Sequence, residues 1–311
     1  MFKRSLVLSG GSSRGAYQVG AIQALLESGR KWDTVHGISV GALNASWIAM
    51  HSPLEQSNSI NGLLEIWNNI KTSDDIFIHW NPIKPINYLY SMWKGSLFSG
   101  QPLKNIVYKS LDKQKMLESG VKLTVGCVNL NTSEYEIIDS TNPNIKDFIL
   151  ASSHLPLVFE PIIIDGNQWV DGGIRHQIPI LEAIKERPDE IDVILTSPIH
   201  IKDRMLKVNN LSSAPKVALR ASEIMSDQIY IMDCYTVLRA NKIIDNIKIN
   251  IFIPSIQPCE NSMNFDYQNI QFGIRLGYEE TKNKLEKMQI SQDSNNDFIK
   301  EDSLLLDKFK I

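Results

Sequence analysis

The stretch Gly37-Ile38-Ser39-Val40-Gly41 marks the point where a predicted strand turns into a predicted helix. Residues 33–36, before it, contain a β-branched pair and are typical of a short strand. Residues 42–50, after it, are rich in alanine and large apolar side chains and predict a buried helix. Glycine at 37 and 41 leaves room for a tight turn, because a Cβ there would collide with the neighbouring elements. The pattern predicts an exposed Ser39 hydroxyl above a helix N-terminus, where developing negative charge is favoured.

The pattern can also occur by chance, since five-residue patterns recur in unrelated chains. A glycine-rich loop between a strand and a helix can carry a serine that does no chemistry. On this stretch alone the two interpretations are equally supported, and the rest of the sequence has to decide between them.

Composition bounds the class of protein. The chain has 311 residues, of which 43% are hydrophobic and 22% charged, as is usual for globular proteins. Its net charge of −3 provides no general attraction to nucleic acid, so no nucleic-acid partner is expected. The three cysteines, Cys127, Cys234 and Cys259, are scattered and odd in number, which indicates reduced thiols rather than a disulfide framework or a metal site.

Neither a signal peptide nor a membrane span is expected from the sequence. The apolar run 6–8 after the basic N-terminus is too short for a signal peptide, and no window approaches about 18 apolar residues. We therefore expect a cytoplasmic protein without a transmembrane segment. Peripheral membrane contact and secretion without a signal peptide both stay open, and the sequence does not indicate an oligomeric state.

The first unit of the chain predicts a parallel sheet covered by helices. Residues 5–9 form a short apolar run, a glycine-rich loop follows at 10–15, and apolar residues then recur at helical spacing up to Gly29. This strand–loop–helix unit leads directly into the strand before Ser39. Strand–helix–strand order at the start of a chain favours an α/β fold.

Two interpretations of the glycine-rich loop compete. One is a phosphate cradle for a nicotinamide cofactor, as in a short-chain reductase. That interpretation requires glycine where Arg14 stands and an acidic residue at the end of the second strand, where this chain has the turn around Ser39. It also requires a Tyr-x-x-x-Lys pair in mid-chain, whereas Tyr90/Lys94 and Tyr278/Lys282 come too early and too late. The other interpretation, main-chain N–H groups aimed at an anionic oxygen, ranks first.

The segment 51–100 contains three prolines and three of the six tryptophans. One interpretation is an aromatic-rich cap that binds acyl chains or lipid, because aromatic side chains suit interfaces. Ordinary hydrophobic core is favoured over it.

Asp171-Gly172-Gly173 follows a short apolar stretch, and by itself it predicts only a turn. Its interest depends on Ser39, because a serine nucleophile requires a proton acceptor within hydrogen-bonding reach. A carboxylate at the end of a neighbouring strand could serve. The glycines beside it would let another segment or a substrate approach.

Three motifs, in this order, resemble the patatin-like phospholipase family, in particular its bacterial-type members. They are the loop Gly10-Gly11-Ser12-Ser13-Arg14-Gly15, the turn around Ser39 and Asp171-Gly172-Gly173. The segments 151–161 and 277–278 are similar too. The resemblance covers residues 5–198 well and the last third of the chain less well.

The resemblance implies a three-layer α/β/α sandwich with a mostly parallel central sheet, in one acyl hydrolase domain over residues 1–290. Residues 199–290 would form a helical C-terminal part, and 291–311 a loosely held tail. It also implies a serine hydrolase that cleaves carboxylic esters of lipids at a membrane or micelle surface. No calcium-ligand cluster is evident in the sequence, so neither a metal nor a cofactor is expected. Two alternatives stay open, a nicotinamide-dependent reductase and a catalytically silent lipid-binding protein.

By position, the resemblance makes Ser39 the nucleophile and Asp171 the base of a dyad. Gly10, Gly11, Ser12 and Arg14 would form the oxyanion site, and the glycines Gly37, Gly41, Gly172 and Gly173 would support the turn and the dyad. Ser12 departs from the family, which has a third loop glycine there. The change keeps the N–H group, and the oxyanion site survives if the main-chain angles suit serine. His176, five residues after Asp171, is expected to be structural or to face the substrate.

Overall fold

A computed structural model of the chain describes residues 2–81, 83–199, 213–244 and 246–293. Its eight described strands are β1 (Arg4–Leu8), β2 (Thr34–Gly37), β3 (Lys122–Asn129), β4 (Tyr135–Asp139), β5 (Ile162–Ile164), β6 (Asn167–Asp171), β7 (Glu190–Ile194) and β8 (Lys248–Phe252). The described helices are α1 (Gly15–Glu27), α2 (Val40–Ala49), α3 (Gln56–Asn69), α4 (Lys84–Lys94), α5 (Gln101–Ser110), α6 (Lys113–Glu118), α7 (Ile145–Ser152), α8 (Ile180–Lys185), α9 (Ala214–Ile243) and α10 (Tyr267–Asp293).

One sheet organises the molecule, in the order β5-β6-β3-β2-β1-β7-β8, with β4 also paired to β3. The strands from β3 to β8 along this order are parallel, whereas β4, β5 and β6 pair in antiparallel fashion. Parallel neighbours require crossover connections, and helices supply them here.

Helices cover both faces of the sheet, as the alternation in β1 demonstrates. Leu6 and Leu8 belong to a core cluster that includes residues of α1, α2, α3 and α7. Val7, between them, belongs to a second cluster with α8 and α9. A strand with apolar side chains on both faces has to be covered on both faces. The predicted three-layer α/β/α sandwich with a mostly parallel sheet is therefore confirmed.

Strands β2 and β6 both pair with the same edge of β3, and their ends meet there. Val125 pairs with Gly37 of β2 on one edge and with Ile138 of β4 on the other. Cys127, two residues further, also pairs with β4, and its second partner is Asp171 of β6. Strands β2 and β6 thus share an edge, and because β6 is antiparallel to β3, the ends of both strands meet. The topology brings residues 37–39 and 171 together.

The segment 51–100 is more regular than its composition suggests. It contains two helices, α3 and α4, that the sequence analysis did not predict. Trp67 and Phe77 belong to the main core cluster, as the favoured interpretation held, whereas Trp93 is 76% exposed. The single-domain organisation over 1–290 stays a prediction. Of the predicted tail, residues 294–311 lie outside the described residues, and 291–293 continue α10.

Among the described residues, none of the helices combines the length and the hydrophobicity that crossing a bilayer would require.

Candidate active site at the ends of two strands

Ser39 occupies the tight turn that the sequence predicts, between β2 and α2. Its main chain has φ 58° and ψ −130°, a combination that is costly for a residue with a side chain. A Cβ on Gly37 would lie 2.3 Å from the carbonyl oxygen of Gly41. A Cβ on Gly41 would lie equally close, at 2.3 Å, to the carbonyl oxygen of Leu8. The glycines therefore permit a turn that holds Ser39 in a strained conformation at the N-terminus of α2.

Asp171 ends β6 and is only 3% exposed. Its carboxylate accepts a hydrogen bond of 2.7 Å from the N–H of Gly173. Burial raises the pKa of Asp171 to about 7, although the Gly173 N–H and the side chain of Ser39 both favour the charged form. No arginine or lysine contributes to this shift. The site thus combines a serine hydroxyl with a carboxylate whose pKa lies in the range useful for a general base near neutral pH.

The glycine-rich loop lies against Ser39. A Cβ on Gly10 would lie 3.3 Å from the Cβ of Ser39. The N–H of Gly10 donates to the carbonyl of Gln177 at 2.9 Å, and its carbonyl accepts from the Thr196 hydroxyl. The Gly10 amide is therefore engaged within the fold, which removes it from the donors that the resemblance implies.

Three other N–H groups line the same cavity as Ser39. They belong to Gly11, Ser12 and Val40, and none of the three donates to another described residue. Gly11 has φ 153° and Ser12 has φ 54°. Ser12 thus adopts a left-handed main-chain conformation, which glycine enters at lower cost than serine. The main-chain angles at this position therefore strain the serine.

Arg14 ties the loop to another part of the chain. Its guanidinium group donates to the carbonyls of Cys259 at 3.0 Å and Glu260 at 3.1 Å, and to the hydroxyl of Ser197 at 3.3 Å. Burial lowers the pKa of Arg14. The side chain lines the cavity, but these contacts indicate an anchor for residues 259–260 rather than a group that points at the substrate.

Ser39 and Asp171 open into a cavity of about 550 Å³. One part of its wall is apolar and comes from α2, α3, α5 and the segments around Phe77 and Phe98. Another part is polar and comes from α9, with Ser226 and Tyr230 among its residues. Such a division suits a molecule with an apolar portion and a polar end. Trp67 and Phe77 thus serve both as core and as cavity wall.

The remaining candidate residues from the sequence do not line the cavity of Ser39 and Asp171. His176 is paired with Asp233 at 3.4 Å, and this interaction raises the pKa of His176. Neither His176 nor the pairs Tyr90/Lys94 and Tyr278/Lys282 contribute to the described lining of the cavity. Within the residues that the structure describes, no three His, Cys, Asp or Glu side chains gather in a way that would hold a metal ion. Independence from metals and cofactors stays a prediction.

Sequence reasoning missed Gln177, which contacts the glycine-rich loop, the turn after Asp171 and helix α9. Besides accepting from Gly10, it donates through its side-chain amide to the carbonyl of Gly173 at 2.9 Å and to the hydroxyl of Ser226 at 2.8 Å. A glutamine six residues after Asp171 carries no local signal for this role, because its partners lie far apart in the chain.

Sequence reasoning also missed the contacts of Ser152 and Ser153. The N–H of Ser39 donates to Ser152 Oγ at 3.0 Å, and Ser153 Oγ donates to the Ser39 carbonyl at 3.1 Å. In the sequence, residues 151–156 stand out only by their similarity to the family. That similarity marks the segment as important, but it does not predict which groups the two serines contact.

Comparison with known proteins gives the same picture. A family model described as "Patatin-like phospholipase" matches residues 6–184, more than half of the chain. "Probable lipid hydrolase 463L" of Invertebrate iridescent virus 6 is 28% identical over 201 residues, which cover 59% of this chain and 64% of that protein. "Triacylglycerol lipase 5" of Saccharomyces cerevisiae is 30% identical over 166 residues, which cover 50% of this chain and 22% of that protein. Both matches thus span less than two thirds of the relatives' own length.

Among solved structures, human GIVD cytosolic phospholipase A2 aligns with 94% of this chain, over 58% of its own length, at 11% identity and a TM-score of 0.48.

Proposed function

The chain belongs to the patatin-like phospholipase family, and from that premise we propose that it hydrolyses carboxylic esters of lipids through Ser39 and Asp171. The observation that carries this proposal is the pairing of a strained serine with a buried carboxylate at one end of a partly apolar cavity. The printed names of the relatives, a probable lipid hydrolase and a triacylglycerol lipase, agree with this substrate class.

The first half of the reaction forms an acyl-enzyme. Ser39 Oγ attacks the ester carbonyl carbon while its proton passes to the carboxylate of Asp171. The tetrahedral intermediate then collapses, the bond to the alcohol oxygen breaks, and the alcohol leaves with the proton from Asp171. In the second half, water attacks the acyl carbon, Asp171 accepts the water proton, and Ser39 leaves with it as the fatty acid is released.

Burial equips Asp171 for this role. A carboxylate with an ordinary pKa of about 4 takes a proton from a hydroxyl poorly. With its pKa raised to about 7, Asp171 is a stronger base and is still charged in half of the molecules at pH 7.

The oxyanion that forms on the substrate requires donors, and we assign them to the N–H groups of Gly11, Ser12 and Val40. These amides line the cavity with Ser39 and have no acceptor among the described residues. A well-placed donor of this kind contributes about 3–4 kcal/mol to the stability of the transition state. The partial positive charge at the N-terminus of α2 adds to this effect.

The cavity walls suggest how the substrate lies. The acyl chain would occupy the apolar part, against Leu63, Trp67, Phe77, Leu103 and Val107. The alcohol portion would face the polar residues of α9. A cavity of about 550 Å³ lies within the range of roughly 300–1,000 Å³ that is usual for ligand pockets.

A fluorophosphonate probe tests the proposal, because it reacts covalently with an activated serine. We expect the probe to label the wild-type protein at Ser39 and to stop hydrolysis of a panel of defined lipids. Ser39→Ala should abolish both, while Ser110→Ala, which removes another serine hydroxyl from the cavity wall, should leave both unchanged. A wild-type protein that binds lipids but is neither labelled nor active would instead support the catalytically silent alternative.

A further inference from the structure

Helix α4 carries a stripe of large apolar side chains that are exposed in the part of the chain that the structure describes. Ile83, just before the helix, and Ile86, Tyr90 and Trp93 within it are 55%, 37%, 42% and 76% exposed. Their spacing of three and four residues places them on one helix face. A contiguous apolar surface of this kind marks a contact with another molecule or with a membrane.

Further exposed apolar side chains stand next to residues of the cavity wall. Phe98 N–H donates to the Val158 carbonyl at 2.9 Å, and both residues line the cavity. Leu157, beside Val158, is 43% exposed. Ile78, beside the cavity residue Phe77, is also exposed. Segments that line the cavity therefore also carry exposed apolar side chains.

The composition of the stripe suits the headgroup region of a bilayer. The Tyr90 and Trp93 rings meet edge to face, with centroids 6.2 Å apart. The Lys94 ammonium group lies 4.8 Å from the centre of the Trp93 ring and 5.4 Å from that of Trp80. Aromatic rings with a flanking lysine are typical of helices that lie in the plane of a membrane surface.

We propose that this surface, the α4 face, defined by Ile78, Ile83, Ile86, Tyr90, Trp93 and Leu157, docks on a lipid bilayer. The inference rests on the proposed function, since a lipid ester is found in a bilayer. It goes further because it names the surface by which the protein meets that bilayer.

Sedimentation with phospholipid vesicles tests this proposal, with and without an anionic lipid in the vesicles. Trp93→Ser, alone and combined with Ile83→Ser and Ile86→Ser, should weaken vesicle binding by about tenfold or more, because each variant removes exposed apolar surface that docking would bury in the bilayer. Ile163→Ser is the matched control, since Ile163 is 71% exposed on β5, outside the α4 face. Hydrolysis of a short-chain ester in solution should stay within about twofold of wild type in all three variants.

Vesicle binding that survives the triple substitution would overturn the proposal, as would a wild-type protein that fails to bind vesicles. A change of oligomeric state on substitution, without vesicle binding, would assign the α4 face to contacts between copies of the chain and would also overturn it. Vesicle binding without ester hydrolysis would contradict only the proposed function.

A second inference follows from the main-chain contacts of residues 152–154. Ser152 Oγ accepts from the N–H of Ser39 at 3.0 Å and donates to the carbonyl of Gly126 at 2.8 Å. Ser153 Oγ donates to the carbonyl of Ser39 at 3.1 Å. The carbonyl of His154 accepts from the N–H of Asp171 at 3.0 Å.

The geometry assigns to these three residues the role of a clamp on both reacting groups. The strained main chain at Ser39 persists only where surrounding contacts determine it, and Ser152 and Ser153 bind its two polar groups. His154 fixes Asp171 from the same short segment, so the relative position of serine and carboxylate depends on one stretch of chain. Ser152 and Ser153 are positioning residues, because they act on the main chain of Ser39.

Ser152→Ala tests the clamp, since it leaves the Ser39 N–H without its acceptor. We expect kcat for a soluble ester to fall by about 10–100-fold, because small displacements of a reacting group cost that much. KM should stay within about threefold, and the rate of fluorophosphonate labelling should fall with kcat. Ser152→Thr, which keeps an oxygen at this position, should restore most of kcat.

Ser5→Ala is the control, because Ser5 is equally buried and hydrogen-bonded but lies at the opposite end of the sheet. It should lower thermal stability about as much as Ser152→Ala does, with kcat unchanged. A kcat for Ser152→Ala within about threefold of wild type, or an equal loss in Ser5→Ala, would overturn the clamp. Absence of labelling at Ser39 in the wild-type protein would overturn the proposed function instead.

Discussion

Asp171 and Glu190 are both buried carboxylates, at opposite ends of the same sheet, but their surroundings shift their pKa values in opposite directions. Burial raises the pKa of Asp171 to about 7. Burial also raises that of Glu190, but Asn250, Arg30 and Arg4 outweigh it and lower the pKa to about 2. The difference lies in the partners, because no cation contributes at Asp171.

A third buried carboxylate refines the comparison. Burial outweighs the nearby arginine at Asp192, whose pKa is raised. The carboxylate of Asp192 is nevertheless tied to Arg30, to the indole N–H of Trp32 at 2.9 Å and to the amide of Asn250 at 2.9 Å. Burial alone therefore does not distinguish a reactive carboxylate from a structural one. What distinguishes Asp171 is burial with few partners, beside a cavity and a serine.

The largest expected effect comes from neutralising Asp171. Asp171→Asn keeps an oxygen that can accept from Gly173 but removes the base, so kcat should fall by about 10³-fold or more. Hydrolysis of a soluble ester measures it, with circular dichroism to check the fold. Activity within tenfold of wild type would contradict the role of Asp171 as the base. It would also contradict the functional difference between Asp171 and Glu190.

The pH dependence of activity and of stability should sharpen the contrast. Since the base must be charged, kcat/KM should rise with an apparent pKa near 7 and level off above it. An apparent pKa near 4 would contradict the raised pKa of Asp171.

Stability should move in the opposite direction over the same range. The unfolded chain ionises Asp171 first, so the free energy of unfolding should fall between about pH 4 and pH 7, by up to about 4 kcal/mol. Asp171→Asn should remove this fall, as urea denaturation at several pH values would reveal.

Glu190→Gln should affect stability but not catalysis. The lowered pKa of Glu190 means that its charge stabilises the folded state above the unfolded pKa, and this contribution is lost as the pH falls through about 2. The variant should have a lower midpoint of urea denaturation than wild type at pH 7, and the gap should narrow in acid. A loss of kcat comparable to that of Asp171→Asn would show that the two ends of the sheet are not independent.

Ser12→Gly should have the smallest effect and the opposite sign. Glycine relieves the left-handed conformation of Ser12, which costs about 1–2 kcal/mol, and it keeps the N–H group. Thermal stability should rise slightly, with kcat within about twofold. Gly11→Ala is the contrasting variant, because its Cβ would lie 2.2 Å from the Thr196 hydroxyl oxygen, and it should lower both.

Much of the fold could be predicted from the sequence because the signals are local. The predicted strands over 5–9 and 33–36 and the predicted helix over 42–50 correspond to β1, β2 and α2, whose ends differ from the prediction by one or two residues. Helix α3 was missed, since serine and asparagine interrupt its apolar spacing. Its apolar residues Ile60, Leu63 and Trp67 are buried in a fold where α1, α2 and α10 pack against the helix.

The sequence by itself determined the turn around Ser39, because two glycines, a serine and flanking apolar runs specify a strand-to-helix turn through local sterics. It also favoured an α/β fold with a parallel sheet covered by helices, because a strand, a helix and a second strand follow one another at the start of the chain. The three-layer architecture was implied by the resemblance to the family. Only the tertiary structure decided which amides stay unpaired, that Ser152 binds Ser39 from 113 residues away, and that Asp171 lacks a cation. These facts depend on the pairing of β3 with both β2 and β6 along one edge, which no local pattern encodes.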